Sequence, residues 1–150
     1  MGVVSTEEKA AVAREAGADE VVGVEGFKDT VGRSIDIVVD PVGGDRFTDS
    51  LRTLRPHGRL LVIGFTAGSI PEVKVNRLLL NNISTVGVGW GAYAMERKGH
   101  VAKEWAAIEP HLRSGALKPM VGGTHPLEDA AAALQSLETR TVTGKVVLEP

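Results

Sequence analysis

Residues 34–44 read Ser-Ile-Asp-Ile-Val-Val-Asp-Pro-Val-Gly-Gly, and this stretch decides the class of the fold. Its β-branched run, 35–39, lies between a polar lead-in and Asp40-Pro41, which is the pattern of a strand buried on both faces of a sheet. The segment after it carries apolar residues at the spacing of one helix face: Phe47, Leu51 and Leu54. A buried strand followed by an amphipathic helix is the unit of parallel sheets, so an α/β fold is predicted.

The same alternation of strand and helix continues in both directions along the chain. Further strands are predicted at residues 3–4, 20–22, 60–63, 83–88, 120–121 and 145–148. Helices are predicted from the capping box Ser5-x-x-Glu8 to Arg14, over 47–54 with an end at Pro56-His57-Gly58, around 78–80, over 94–114 with a kink at Pro110, and over 127–137. The order predicts a Rossmann-like, doubly wound and mostly parallel sheet.

The composition is that of an ordinary globular protein. The 150 residues are 43% hydrophobic and 24% charged, and a chain of this length can bury a substantial core. Its apolar runs are all shorter than the roughly 18 residues of a membrane-spanning helix, and the start lacks the basic and apolar regions of a signal peptide. We therefore expect a cytoplasmic protein with no membrane partner.

Charge and residue types exclude several kinds of site. Lys and Arg number 17 against 19 Asp and Glu, for a net charge of -2, and no basic patch predicts a nucleic-acid partner. There is no cysteine, and the four histidines are dispersed, so no metal site is expected. No catalytic arrangement of side chains is recognisable, which is consistent with chemistry supplied by a cofactor.

Candidate binding residues follow the predicted strands, because ligands of such sheets lie at the carboxyl ends of the strands. These ends carry Asp40-Pro-Val-Gly-Gly44, Gly64-Phe65 and Gly87-Val88-Gly89. Glycine lets the backbone approach a flat ligand closely, where a β-carbon would prevent contact. The alternative for each glycine is an ordinary strand-to-helix turn.

Residues 87–92 match the dinucleotide pattern G-x-G-x-x-A. A true fingerprint is the first turn of the sheet and is followed after about 20 residues by a second strand. Here a long helix is predicted instead, so we do not interpret 87–92 as the pyrophosphate loop.

The first strand ends in Ser5, where an acidic residue would select NADH by binding the 2′-hydroxyl. A hydroxyl at Ser5 and an ammonium at Lys9, one helical turn later, suit a 2′-phosphate. NADPH is therefore favoured over NADH. The alternative is that Ser5 only caps the helix and Lys9 is only a solvated charge.

The order of the motifs resembles the medium-chain dehydrogenase/reductases, specifically their zinc-independent quinone oxidoreductase branch. The resemblance covers the whole chain and lies in five segments: VVSTEEKAAVAREAGADEVV, DIVVDPVGGDRF, LRPHGRLLVIGFTAG, NRLLLNNISTVGVGWG and TRTVTGKVVLEP. It implies hydride transfer from NADPH to a quinone or an activated enone, without a metal.

The resemblance also implies roles for particular residues. Ser5, Lys9 and Arg140 match positions near the 2′-phosphate, and Gly44 matches a position near the nicotinamide ribose. The positions that line the nicotinamide are Ile63, Gly64, Phe65, Gly87, Val88 and Gly89. A homodimer through the edge strand 83–88 is expected, since this family commonly pairs such strands.

Members of the family have, before the part matched here, a catalytic domain, a first strand and a glycine-rich pyrophosphate loop. We expect residues 1–118 to be a partial nucleotide-binding domain and 119–150 a segment that returns to an absent catalytic domain. Two alternatives remain: a non-catalytic nucleotide-binding or dimerisation module, and a methyltransferase, whose fold has a strand similar to 54–63.

Overall fold

The computed structural model describes residues 1–139 and 141–150. They form two compact units, residues 1–22 with 101–150 and residues 23–100. In chain order the strands are β1 Gly2–Val4, β2 Val21–Gly23, β3 Ile35–Asp40, β4 Leu54–Val62, β5 Ser84–Gly87, β6 Val121–Pro126 and β7 Lys145–Glu149. The helices are α1 Glu7–Glu15, α2 Phe27–Val31, α3 Arg46–Thr53, α4 Asn76–Asn81, α5 Trp90–Met95, α6 His100–Arg113 and α7 Ala130–Glu138, with a 3-10 turn at Leu127–Asp129. The predicted α/β class is confirmed.

The unit 23–100 is built on a three-stranded parallel sheet in the order β3-β4-β5. Its core joins α3 to β4 and to the residue before β5, through Phe47, Leu51, Leu54, Leu60 and Ile83. Leu54 and Leu60 are fully buried. The predicted apolar face of α3 is therefore the face that packs on the sheet, and burial of each such side chain stabilises the fold by about 1.5–3 kcal/mol.

Strand β3 is not buried on both faces, so that expectation was wrong. Ile37 is 50% exposed and Val39 is 63% exposed, whereas Val38 packs against the core. Within the described residues β3 pairs with β4 alone, and the core of α3 and α4 side chains covers the other face of the sheet. The uncovered face also carries exposed Ile63, Val86 and Val88.

The boundary between α3 and β4 differs from the sequence prediction. Pro56-His57-Gly58 does not separate a helix from a strand, because β4 already begins at Leu54 and passes through these residues with an irregular register against β3. His57 adopts φ 68 there, and its N–H donates to the Asn82 carbonyl at 2.6 Å. A long-range hydrogen bond of this kind has no local sequence signal.

The predicted helix 94–114 is two helices, α5 and α6. Gly99, with φ 78, lies between them in the left-handed region that favours glycine. Pro110 lies inside α6, which nevertheless continues to Arg113. Val101, Trp105 and Ile108 of α6 are exposed.

The unit of residues 1–22 and 101–150 contains two small sheets, β1-β2 and β6-β7. Strand β2 ends at Gly23, one residue beyond the unit boundary, and β6 and β7 are parallel. A side chain at Gly122 would overlap the Thr143 carbonyl, so glycine allows the chain before β7 to approach β6 closely. In the described part of the chain, no helix is both long enough and apolar enough to cross a membrane.

Candidate active site at the strand ends

The carboxyl ends of the three parallel strands lie at one level of the sheet. Asp40 pairs in register with Val62, and Val62 pairs with Gly87. The ladder continues by one residue, because the Ile63 N–H donates to the Asp40 carbonyl at 2.9 Å and the Val88 N–H donates to the Val62 carbonyl at 3.0 Å. The segments after β3, β4 and β5 therefore leave the sheet at the same edge.

The segment after β3 is a tight turn stabilised by the Asp40 side chain. One carboxylate oxygen, Oδ1, accepts the N–H groups of Val42 and Gly43, both at 2.9 Å. Gly43 has φ 67 and Gly44 has φ 63, values at which any other residue is strained. The turn thus requires glycine at 43 and 44 for its own conformation.

This turn is joined to the segment after β4. The N–H groups of Thr66 and Ala67 donate to the carbonyls of Pro41 and Val42, at 3.2 and 3.0 Å. The ring of Phe65 lies against the turn, since a β-carbon on Gly43 would be 3.0 Å from its Cδ1 atom. Turn and loop therefore form one packed layer, and Phe65 remains 41% exposed.

The segment after β5, unlike the turn after β3, does not need glycine for its own conformation. A β-carbon at Gly87 or at Gly89 would meet no atom within 4 Å, and neither glycine has a positive φ. The packing of the described chain therefore does not demand glycine at either position. What glycine provides there is open space beside the backbone, which suits close approach of a flat ligand.

Seven residues that the sequence predicted to contact the cofactor lie in the segments at this common edge. We call these residues the strand-end shelf: Gly44, Ile63, Gly64, Phe65, Gly87, Val88 and Gly89. Ile63 and Val88 are exposed aliphatic residues within it. The shelf combines backbone N–H and carbonyl groups with an apolar surface.

Ser5 and Lys9 belong to the other unit and are described separately. The predicted capping residue was wrong, because Thr6 and not Ser5 caps α1, with Thr6 Oγ1 accepting the Lys9 N–H at 3.3 Å. Ser5 is exposed and lies one residue before the cap. Its hydroxyl is therefore not used for capping. Arg140 lies outside the described residues.

Sequence reasoning named Asp40 only as the start of a strand-end segment and assigned no role to its side chain, which is 8% exposed. The available signal was the dipeptide Asp40-Pro41 before two glycines, since Asp commonly bonds backbone N–H groups two residues later. In the described residues, no group of three or more His, Cys, Asp and Glu side chains could hold a metal ion.

Comparison with known proteins relates the chain to one family. Residues 16–148 match the family described as "Zinc-binding dehydrogenase". Quinone oxidoreductase-like protein 2 of Bos taurus is 32% identical over 99% of this chain and 44% of its own length. The 2-haloacrylate reductase of Burkholderia sp. is 28% identical, over 100% of the chain and 47% of its own length.

Two solved structures are also similar. A mycobacterial protein in complex with NADPH superposes with a TM-score of 0.87 at 32% identity, over 99% of this chain and 48% of that protein. A quinone oxidoreductase of Pseudomonas syringae superposes with a TM-score of 0.86 at 28% identity, also over 99% and 48%. The chain thus spans less than half the length of each of these proteins.

Proposed function

This chain belongs to the medium-chain dehydrogenase/reductase family, in its quinone oxidoreductase branch, and on that premise we propose that it is the nucleotide-binding part of an oxidoreductase that uses NADPH. The whole protein would transfer hydride to a quinone or to an activated enone. The observation that carries the proposal is the strand-end shelf, where three parallel strands end in register. The cofactor supplies the hydride, from C4 of its nicotinamide.

The shelf residues position the nicotinamide and exclude water from it. Gly87 and Gly89 leave open space beside the backbone, so the ring can lie directly on the peptide groups. Ile63, Phe65 and Val88 offer the apolar surface around it. Gly44 is assigned to the nicotinamide ribose because its turn leaves the same edge of the sheet, although a β-carbon there would lie 3.0 Å from Cβ of Ala67. Support for this arrangement is that all of these segments leave one edge of the sheet.

Selection of NADPH over NADH is assigned to Ser5 and Lys9, with Arg140 approaching the same phosphate. The Ser5 hydroxyl is free to donate to a 2′-phosphate because Thr6 performs the capping. Lys9 follows one helical turn later and adds a positive charge. We place the partial nucleotide-binding domain at 1–118 and assign 119–150 to a segment that packs on a catalytic domain.

The described residues of this chain do not offer a site for zinc, although the matching family is described as a zinc-binding dehydrogenase. The chain has no cysteine, and the residues that the structure covers contain no cluster of candidate ligands. Zinc in proteins is held by three or four closely placed Cys, His, Asp or Glu side chains. We therefore propose a reaction in which no zinc is held by this chain.

A homodimer through residues 83–88 is proposed as the assembly. Strand β5 is at one end of the three-stranded sheet, so one row of its backbone groups is available for pairing. The proposed partner besides a second copy is a small quinone or enone, in the cytoplasm, with neither nucleic acid nor membrane.

The second candidate is a non-catalytic nucleotide-binding or dimerisation module. The chain matches 44% of the length of the bovine protein, so nucleotide binding by these residues is a separate question from catalysis by a whole protein. Turnover of NADPH by the 150-residue chain would contradict the module, whereas the first candidate assigns turnover to the whole protein.

Calorimetric titration of the folded chain with NADPH and then NADH tests the proposal. Saturable binding with preference for NADPH supports it, and failure to bind NADPH at millimolar concentration contradicts it. Titration with S-adenosylmethionine is the control for the methyltransferase alternative. Oxidation of NADPH by this chain with a quinone acceptor would exclude the non-catalytic module.

A further inference from the structure

Asp40 is the buried charged residue nearest to the shelf in the chain. Its side chain is 8% exposed, and it occupies the last position of β3, in register with Val62 of β4. Burying a carboxylate is unfavourable unless it accepts hydrogen bonds. The two N–H groups that it accepts, from Val42 and Gly43, come from the turn that leads into the shelf.

We propose that Asp40 is a positioning residue for the strand-end shelf, resting on the proposed function above. Its carboxylate fixes the Pro41–Gly44 turn by accepting two N–H groups. That turn then fixes the loop after β4, because its carbonyls accept the N–H groups of Thr66 and Ala67. The Phe65 ring is seated against Gly43 of the same turn.

What Asp40 contributes to the turn is a hydrogen-bond acceptor, and its negative charge is not required. An oxygen in the place of Oδ1 can accept both N–H groups, so an amide oxygen serves as well as a carboxylate oxygen. If the acceptor is removed, the N–H groups of Val42 and Gly43 lose their hydrogen-bond partner. The turn then loses the hydrogen bonds that fix the conformation of Gly43 and Gly44. Asp40 would act on the cofactor only through these backbone atoms.

The first test is made without cofactor, by amide hydrogen exchange in the full 150-residue chain. Asp40→Ala is expected to speed exchange at Val42, Gly43, Thr66 and Ala67 by about tenfold, and Asp40→Asn to keep the rates within about threefold of wild type. Asp36→Asn is the matched control, because Asp36 is an exposed residue of the same strand that pairs with Arg55. Unchanged exchange in Asp40→Ala overturns the proposal.

The second test measures dissociation constants for NADPH and NADP+. Asp40→Ala is expected to weaken both by the same factor, about tenfold, and Asp40→Asn to restore both. A role of the charge itself predicts unequal changes and no rescue by Asn, and that result also overturns the proposal.

A third variant covers the possibility that Asp40→Ala does not fold. Asp40→Ser keeps a weaker local hydroxyl acceptor, so its exchange rates and affinities should lie between those of Asn and Ala. Values equal to wild type in Asp40→Ser contradict the proposed role. Wild-type chain that binds no NADPH defeats the proposed function, while the exchange measurement still decides whether Asp40 holds the turn.

Discussion

Phe65 and Gly43 are in direct contact across two strand ends: a β-carbon on Gly43 would lie 3.0 Å from Cδ1 of Phe65. One residue follows β3 and the other follows β4. The contact therefore couples the glycine turn to the exposed ring of the strand-end shelf. It also makes Gly43 sensitive to substitution for two separable reasons, its φ and its neighbour.

Gly43→Ala is expected to lower the free energy of unfolding and to weaken NADPH binding. The left-handed φ alone costs about 1–2 kcal/mol for alanine. Gly26→Ala is the matched control, because Gly26 has the same φ of 67 with nothing within 4 Å. Urea unfolding should show a loss in both variants, whereas calorimetry should show about tenfold weaker NADPH binding in Gly43→Ala alone. Equal affinities in the two variants would contradict the coupling of the turn to the shelf.

Gly87→Ala and Gly89→Ala should separate binding from stability. A β-carbon at either position meets open space, so the unfolding free energy should change by less than about 0.5 kcal/mol. NADPH affinity should fall about tenfold or more, since the methyl group occupies space assigned to the nicotinamide. Gly91→Ala, in α5 and equally open, is the control and should leave the affinity unchanged. Unaltered binding in both shelf variants would show that the ring does not lie there.

Ser5→Ala and Thr6→Ala should affect different properties, the first the preference for NADPH and the second the stability of the chain. Thr6 caps α1, so its loss should lower stability by about 1 kcal/mol and leave the ratio of NADPH to NADH affinity unchanged. Ser5→Ala should lower that ratio about fivefold with little change in the melting temperature, because only the 2′-phosphate loses a donor. Lys9→Met should lower the ratio further. A ratio that survives both Ser5→Ala and Lys9→Met would place the phosphate elsewhere.

Val86→Lys should convert a dimer to a monomer in light scattering. Val86 is an exposed residue of β5, and a lysine on an edge strand disfavours pairing with a second copy. Val39→Lys is the control, because Val39 is exposed on β3 at the other end of the same sheet. If the wild-type chain is itself a monomer at working concentration, the proposed dimer is wrong.

The elements were predictable where the signal is local. The β-branched run 35–39 and the helical spacing of Phe47 and Leu51 predicted β3 and α3, and both were confirmed. Periodicity reports which face of an element is apolar. It does not report whether anything covers that face, which is why the exposure of Ile37 and Val39 was missed.

The boundary errors have the same origin. Ser5 and Thr6 are both good capping residues, and only the backbone conformation decides that Thr6 accepts the Lys9 N–H. Pro56-His57-Gly58 has the composition of a helix stop, yet hydrogen bonding to Asn82 holds His57 within β4. In each case a hydrogen bond seen only in the structure, and not the local residue pattern, decided where the element begins.

The sequence by itself determined the α/β class, the alternation of strands with helices, and the positions of glycines after the strands, because these depend on residue type and spacing along the chain. It did not predict the short helix α2. Only the tertiary structure decided which glycines the protein needs for its own conformation and which have open space beside the backbone. Gly43 and Gly44 are constrained by their own turn and its neighbours, whereas Gly87 and Gly89 face open space. The physical reason is that the effect of adding a β-carbon depends on the atoms around it, and those atoms belong to segments distant in sequence.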